Sequence, residues 1–184
     1  MKLVCFGDSN TYGYTPNGAD GGRYPASVRW VDRLAAATGF VVQNEGQNGR
    51  AVLDDPLTLP PDTDLLLLML GSNDLLLGAD AVDTADRLRT LLTPPPIAPQ
   101  RILLIAPPPM QPGSWVGSKA LVLQSRLLHV HLCALANRLG TAFANAGDWG
   151  ITLGEDGVHV TEEGHRAFAE GVLRTLNEMI KGIE

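Results

Sequence analysis

The chain has 184 residues, 45% of them hydrophobic and 18% charged, which suits one globular domain over residues 1–184 with a sizeable buried core. A formal net charge of −6, with no Lys/Arg run and no basic-aromatic interleaving, argues against a polyanionic partner, so no nucleic acid is expected. The two cysteines, Cys5 and Cys133, sit within apolar patterns and suggest neither a disulfide framework nor a thiolate metal site; the longest apolar run, Leu65 to Leu70, is too short to span a bilayer, so no membrane partner is expected either.

The chain enters the apolar run Leu3-Val4-Cys5-Phe6 almost at once, with no room for a charged, cleavable leader; together with the cysteine usage this makes a cytoplasmic protein the expectation. That run reads as a first strand ending at Gly7-Asp8-Ser9-Asn10. The Gly/Tyr/Pro-rich stretch Thr11 to Pro25, with Gly13, Gly18, Gly21 and Gly22, forbids a long regular element and is expected to form a mouth. Trp30, Val31, Leu34, Ala35 and Thr38 follow helical spacing, Gly39 stops the helix, and Phe40-Val41-Val42 is the second strand. The segment Asn44 to Arg50 is expected to be a polar, glycine-bearing loop.

Leu65 to Leu70 is apolar without alternation, as a central parallel strand covered on both faces requires, and it runs into Gly71-Ser72-Asn73-Asp74. Ala81, Val82, Ala85, Leu88 and Leu92 mark one face of a helix that the prolines from Pro94 to Pro96 end. Ile102 to Ala106 is the fourth strand, and a proline-rich loop from Pro107 to Gly117 follows. Leu121, Leu128, Leu132, Leu135 and Leu139 then share a helix face closed by Gly140. Thr141 to Ala146 is a fifth strand, Gly147 to Val160 a loop, and the last helix turns Phe168, Val172 and Leu176 inward. Strand and helix alternate throughout, which implies one doubly wound α/β domain with a five-stranded parallel sheet.

A serine just beyond the first strand lies where such sheets bind ligands, and its own N–H is placed to meet a developing oxyanion. Attack by Ser9 needs a base, for which His159 is the best candidate; Asp156, three residues earlier, lies within a turn's reach of the imidazole Nδ1. Asp8 is the alternative acid, but it adjoins the nucleophile and is poorly placed to reach the far side of the ring. The Ser9 N–H, the Gly49 N–H and the Asn73 side-chain amide, each after a strand, are candidate donors to a tetrahedral intermediate. Singly, each stretch also fits an ordinary turn. Asn10, Tyr14, Trp115 and Val158 are expected to line the substrate pocket, with Trp30 beside them; for both tryptophans a place in the core fits equally. His129 and His131 fall on different helix faces, so no metal site is expected, and His165 reads as a satisfied structural histidine. Asp8 and Asp74 are expected to tie loops to backbone N–H groups.

In these four blocks the chain resembles the SGNH (GDSL) esterases and lipases: Ser9 in Gly-Asp-Ser-Asn, Gly49, Asn73 in Gly-Ser-Asn-Asp and His159 in Asp-x-x-His. Phe6 to Tyr14, Arg23-Tyr24-Pro25 with Arg29-Trp30, Asn44-Glu45-Gly46 with Asn48-Gly49-Arg50 and Asp54-Asp55-Pro56, and Ala106 to Pro109 are similar to the bacterial arylesterase and acyltransferase branch. The resemblance implies a three-layer α/β/α sandwich of flavodoxin-like topology, the SGNH hydrolase fold. It also implies Ser9 as nucleophile, His159 as base, Asp156 as its partner, and Ser9, Gly49 and Asn73 as oxyanion donors. The implied reaction is hydrolysis of a small-molecule ester with a short acyl group, with acyl transfer to an alcohol as a side activity and no cofactor. Asn10 stands where the family name has leucine, a change expected to alter polarity beside the nucleophile rather than the catalytic parts. The stretch between Pro56 and Leu65 is shorter than in that branch, where a longer segment takes part in subunit contacts, so a homo-oligomer is an open expectation. Two rivals remain at this stage: a non-catalytic binder on a doubly wound sheet, and an interaction module whose Ser9 and His159 lie too far apart to meet. The lack of a Gly-x-Gly-x-x-Gly or Gly-Lys-Ser/Thr loop weakens the first.

Overall fold

The computed structural model describes residues 1–182 and contains a five-stranded parallel sheet. The strands are β1 (Lys2–Gly7), β2 (Val41–Gly46), β3 (Leu65–Met69), β4 (Ile102–Ala106) and β5 (Ala142–Asn145), in the order β2-β1-β3-β4-β5. The helices are α1 (Ser9–Tyr12), α2 (Trp30–Thr38), α3 (Ser72–Leu76), α4 (Ala81–Leu91), α5 (Lys119–Leu139) and α6 (Glu162–Lys181), with a 3₁₀ stretch over Pro16–Gly22. This is the expected flavodoxin-like α/β/α sandwich, and in that strand order the topological switch point falls between β1 and β3.

Alternation along the central strands sends side chains into two separate cores. Val4, Phe6, Leu66, Leu68 and Leu104 pack with Leu88, Leu91, Leu128, Leu132 and Leu135 of α4 and α5. Leu3, Cys5, Leu67, Met69 and Ile105 pack on the opposite face with Trp30 and Leu34 of α2 and Phe168, Val172 and Leu176 of α6. Phe168 anchors this second layer, its ring centroid 4.7 Å from that of Trp30 and 5.1 Å, edge-on, from that of Trp149. Helix boundaries follow local chemistry: Asp80, Ser118 and Thr161 accept backbone N–H bonds at the starts of α4, α5 and α6, and left-handed Gly39 and Gly140 end α2 and α5.

Two sequence expectations need correction, and one further segment gains a helix. The polar segment from Asn44 is not yet loop: β2 continues to Gly46, because Asn44, Glu45 and Gly46 pair in register with Cys5, Phe6 and Gly7, and an edge strand tolerates polar residues. Gly71-Ser72-Asn73-Asp74 enters the short helix α3, launched by Gly71 at φ 123°. Val82 is half-exposed instead of facing the core, since Ala81, Ala85 and Leu88 already set the inward direction and the neighbouring residue lies about 100° around the helix. No helix among the described residues is long and apolar enough to cross a membrane.

The site-bearing end of the sheet depends on one close approach. A Cβ at Gly46 would run into the Thr11 and Tyr12 backbone, so glycine lets the end of β2 lie directly against α1.

Replacing Phe168 by alanine is expected to lower unfolding free energy by about 3–5 kcal/mol in urea denaturation, with the m-value unchanged.

Candidate active site

Ser9, Asp156 and His159 meet outside the carboxyl ends of the strands. Asp8 caps α1 by accepting the Asn10 N–H at 2.9 Å, and Gly13 closes the turn in the left-handed region at φ 90°. Ser9 is thus the first residue of a helical turn, where its N–H has no partner within the helix. His159 Nε2 lies 3.0 Å from Ser9 Oγ, and its Nδ1 lies 2.9 Å from Asp156 Oδ2. All three side chains are buried. The separation that would mark a vestigial pair is not found.

Asp156 fixes more than the ring. Its Oδ1 accepts the backbone N–H groups of Val158 and His159, each at 2.9 Å, and its Oδ2 also accepts the Asn17 N–H at 3.1 Å. Burial alone would push the Asp156 carboxyl up, but the His159 and Val158 N–H groups and the imidazole together hold it below the usual carboxylate range. An ionised carboxylate is acceptor only, so Nδ1 carries the ring proton and Nε2 presents its lone pair to the Ser9 hydroxyl. The tight turn needs Gly157, at φ 80°, because a Cβ there would strike the Gln111 carbonyl of the proline-rich loop. That loop docks through backbone bonds from Gln111 to Gly157, Ser114 to Glu155 and Trp115 to Asp156, at 3.0, 3.0 and 3.1 Å.

The two further loops are cross-linked to the turn that carries Ser9. The Arg50 guanidinium donates to the Gly7 carbonyl at 3.0 Å and to the Glu45 carbonyl, and lies 4.1 Å over the Phe6 ring. The Asn73 amide donates one N–H to the Arg50 carbonyl at 3.0 Å, which places α3 beside the loop carrying Gly49 and leaves its second N–H for another acceptor. Gly49 has φ 72° and open space where a Cβ would stand. Asp74 ties this loop to α3 by accepting the Val52 N–H at 3.0 Å, as expected, whereas Asp8 spans only its own turn.

Of the expected pocket residues, Tyr14 and Trp115 flank the imidazole, with ring centroids 4.7 and 4.9 Å from that of His159. Two others are corrected. Asn10 is only 2% exposed, its amide consumed by backbone groups on either side of His159, so it is no pocket wall. Val158 is buried in the core that holds Met110 and Val116, because the turn accepted by Asp156 points its side chain inward. Trp30 belongs to the core. His165 is fully buried, but only half satisfied: Nδ1 accepts the Trp30 N–H at 3.4 Å and Nε2 finds no partner among the described residues. Sequence reasoning missed Asn17 and Arg50 as supports. Pro16-Asn17-Gly18 signals a turn, yet nothing local indicates a partner 139 residues away.

The profile described as the GDSL-like Lipase/Acylhydrolase family matches residues 5–167. The chain is similar to the solved structure of a carbohydrate acetylesterase family member from Sinorhizobium meliloti, at 28% identity and TM-score 0.81 over 98% of this chain and 99% of that one. It is also similar to the aryl esterase of M. smegmatis, at 26% identity and TM-score 0.83 over 97% and 99%. No curated protein gave a match.

Two buried groups near the site set opposing pH dependences. Burial, helped by the Arg33 and Arg29 charges, pushes the His165 imidazole down to about 4. Burial pushes the Asp8 carboxyl up to about 7, against the Asn10 N–H and the Arg50 charge. For His165 the unfolded chain takes a proton below about 6.5 that the native state refuses until about 4, so its contribution falls as pH drops through that window. For Asp8 the native state holds a proton that the unfolded chain releases above 3.8, so its contribution is lost as pH rises towards 7. Comparing wild type with His165→Gln isolates the histidine: between pH 7 and pH 4 the wild type should lose on the order of 3 kcal/mol more stability than the variant in chemical denaturation.

Proposed function

From the premise that the chain belongs to the GDSL-like lipase/acylhydrolase family and is a carboxylic ester hydrolase, we propose that it cleaves short-chain acetyl or aryl esters through an acyl-enzyme on Ser9. The observation that carries this reading is the buried chain of contacts from Asp156 through His159 to Ser9, at 2.9 and 3.0 Å.

Ser9 Oγ attacks the ester carbonyl carbon while its proton passes to His159 Nε2, and the resulting imidazolium is stabilised by the Asp156 carboxylate. The carbonyl oxygen becomes negative and receives hydrogen bonds from the Ser9 N–H, the Gly49 N–H and the second N–H of the Asn73 amide. Collapse returns the proton from Nε2 to the departing alcohol, leaving an ester on Ser9. Water attacks that ester with His159 again as base, releasing the acid; an alcohol in place of water gives acyl transfer. Tyr14 and Trp115, both in ring contact with the imidazole, form an aromatic approach suited to the flat or hydrophobic face of a small leaving group. The short-acyl preference is supported by the lack of a long apolar lid segment in the sequence and by the acetylesterase and aryl esterase named among the similar structures. A homo-oligomer and a cytoplasmic location belong to the same proposal.

Ser9→Ala is expected to abolish both hydrolysis of an activated acetyl ester and labelling by a fluorophosphonate; retention of either rules out this nucleophile. Asn73→Ala should lower kcat by about 10² to 10³ with a smaller effect on KM, as loss of one oxyanion donor does.

A further inference from the structure

Resting on the esterase reading, we infer that Asn10 is the positioning residue of the base: its side-chain amide holds His159 opposite Ser9 by gripping the residues on both sides of the histidine. Asn10 Nδ2–H donates to the Val158 carbonyl at 3.1 Å, and Asn10 Oδ1 accepts the Val160 N–H at 3.0 Å. One carboxamide thus supplies both the donor to the Val158 carbonyl and the acceptor for the Val160 N–H, on either side of the bend that carries His159. The remaining groups of His159 face elsewhere and are also taken: its N–H goes to Asp156 Oδ1 at 2.9 Å, and its carbonyl accepts the Gly154 N–H at 2.8 Å.

Asn10 is itself held from beneath, since its backbone carbonyl accepts the Trp30 Nε1–H at 2.9 Å and Trp30 packs on Phe168. It also follows Ser9 directly in α1. One helical turn therefore carries the nucleophile and grips the segment that carries the base, so the two reacting side chains move together. Both bonds are buried, where water does not replace a lost partner. Leucine has the same branched heavy-atom skeleton, though bulkier, and neither donates nor accepts. Aspartate keeps the bond from the Val160 N–H and sets an acceptor against the Val158 carbonyl. In this chain the two contacts to Val158 and Val160 therefore call for an amide at Asn10.

The test is a double-mutant cycle on hydrolysis of p-nitrophenyl acetate, read as kcat and KM for wild type, Asn10→Leu, His159→Ala and the double variant. A base displaced by about 1 Å should reduce kcat by about 30-fold or more in Asn10→Leu, with KM within about threefold of wild type. In the His159→Ala background the same substitution should change the residual kcat less than about twofold, because the histidine it positions is gone. Asn10→Asp, which retains the fold-bridging Val160 bond, should show the same dependence on His159 and serves in its place if Asn10→Leu is unfolded by circular dichroism. Unchanged kcat in the folded variant, or an equal loss with and without His159, overturns the inference. Full turnover in His159→Ala alone instead overturns the esterase reading on which it rests.

Discussion

The structure of the site depends on one constraint: the buried carboxylate of Asp156 must stay ionised, and it does so because four N–H donors converge on it. Asn17, Val158 and His159 donate from the backbone and His159 from its ring. A carboxylate so surrounded accepts and does not donate, which decides the imidazole tautomer and turns a lone pair toward Ser9. The surrounding features follow from protecting that arrangement. Gly157 permits the tight turn, the proline-rich loop covers it through backbone bonds, and Asn17 holds the outer oxygen from a left-handed position at φ 54°. The Ser114 hydroxyl, donating to Asn17 Oδ1 at 3.3 Å, joins the two covering segments to each other.

The sheet supplies the meeting place. With β1 between β2 and β3, the loops leaving these strands emerge side by side at the switch point, and short links between them take over where the ladder ends. Asn44 donates to the Thr11 carbonyl, Arg50 reaches back to Gly7, Asn73 holds the Arg50 carbonyl, and Asn10 holds the His159 segment. Most of these links join a side chain to a backbone carbonyl. Loops leaving a sheet have unpaired carbonyls, and asparagine and arginine satisfy them while fixing the distance between segments. The same edge is thus cross-linked firmly enough to hold groups in place for chemistry.

The central strands and long helices were legible in the sequence because their signals are local: uninterrupted apolar runs, one-face leucines, and Gly39 or Gly140 at helix ends. Ser9, Asp156 and His159 were legible because each sits in a short block whose chemistry is complete only in combination. What escaped depends on contacts between distant segments. Asn10, next to Ser9, reads as a pocket residue until Val158, 148 positions on, and Val160, 150 positions on, are seen against it. Val158 looked like a pocket wall because it adjoins His159, but the turn that brings His159 to Asp156 also points Val158 into the core. Asn44 to Gly46 read as loop because polarity was the only signal, whereas pairing with β1 extends the strand. His165 was correctly placed inside, but not its unpartnered Nε2.

The tautomer of His159 is the most direct test of this account. Nitrogen-15 NMR of the histidine-labelled enzyme at neutral pH should find Nδ1 protonated, its proton strongly deshielded by the Asp156 carboxylate, and Nε2 bare toward Ser9. A neutral ring carrying its proton on Nε2, with Nδ1 bare against Asp156, would contradict it.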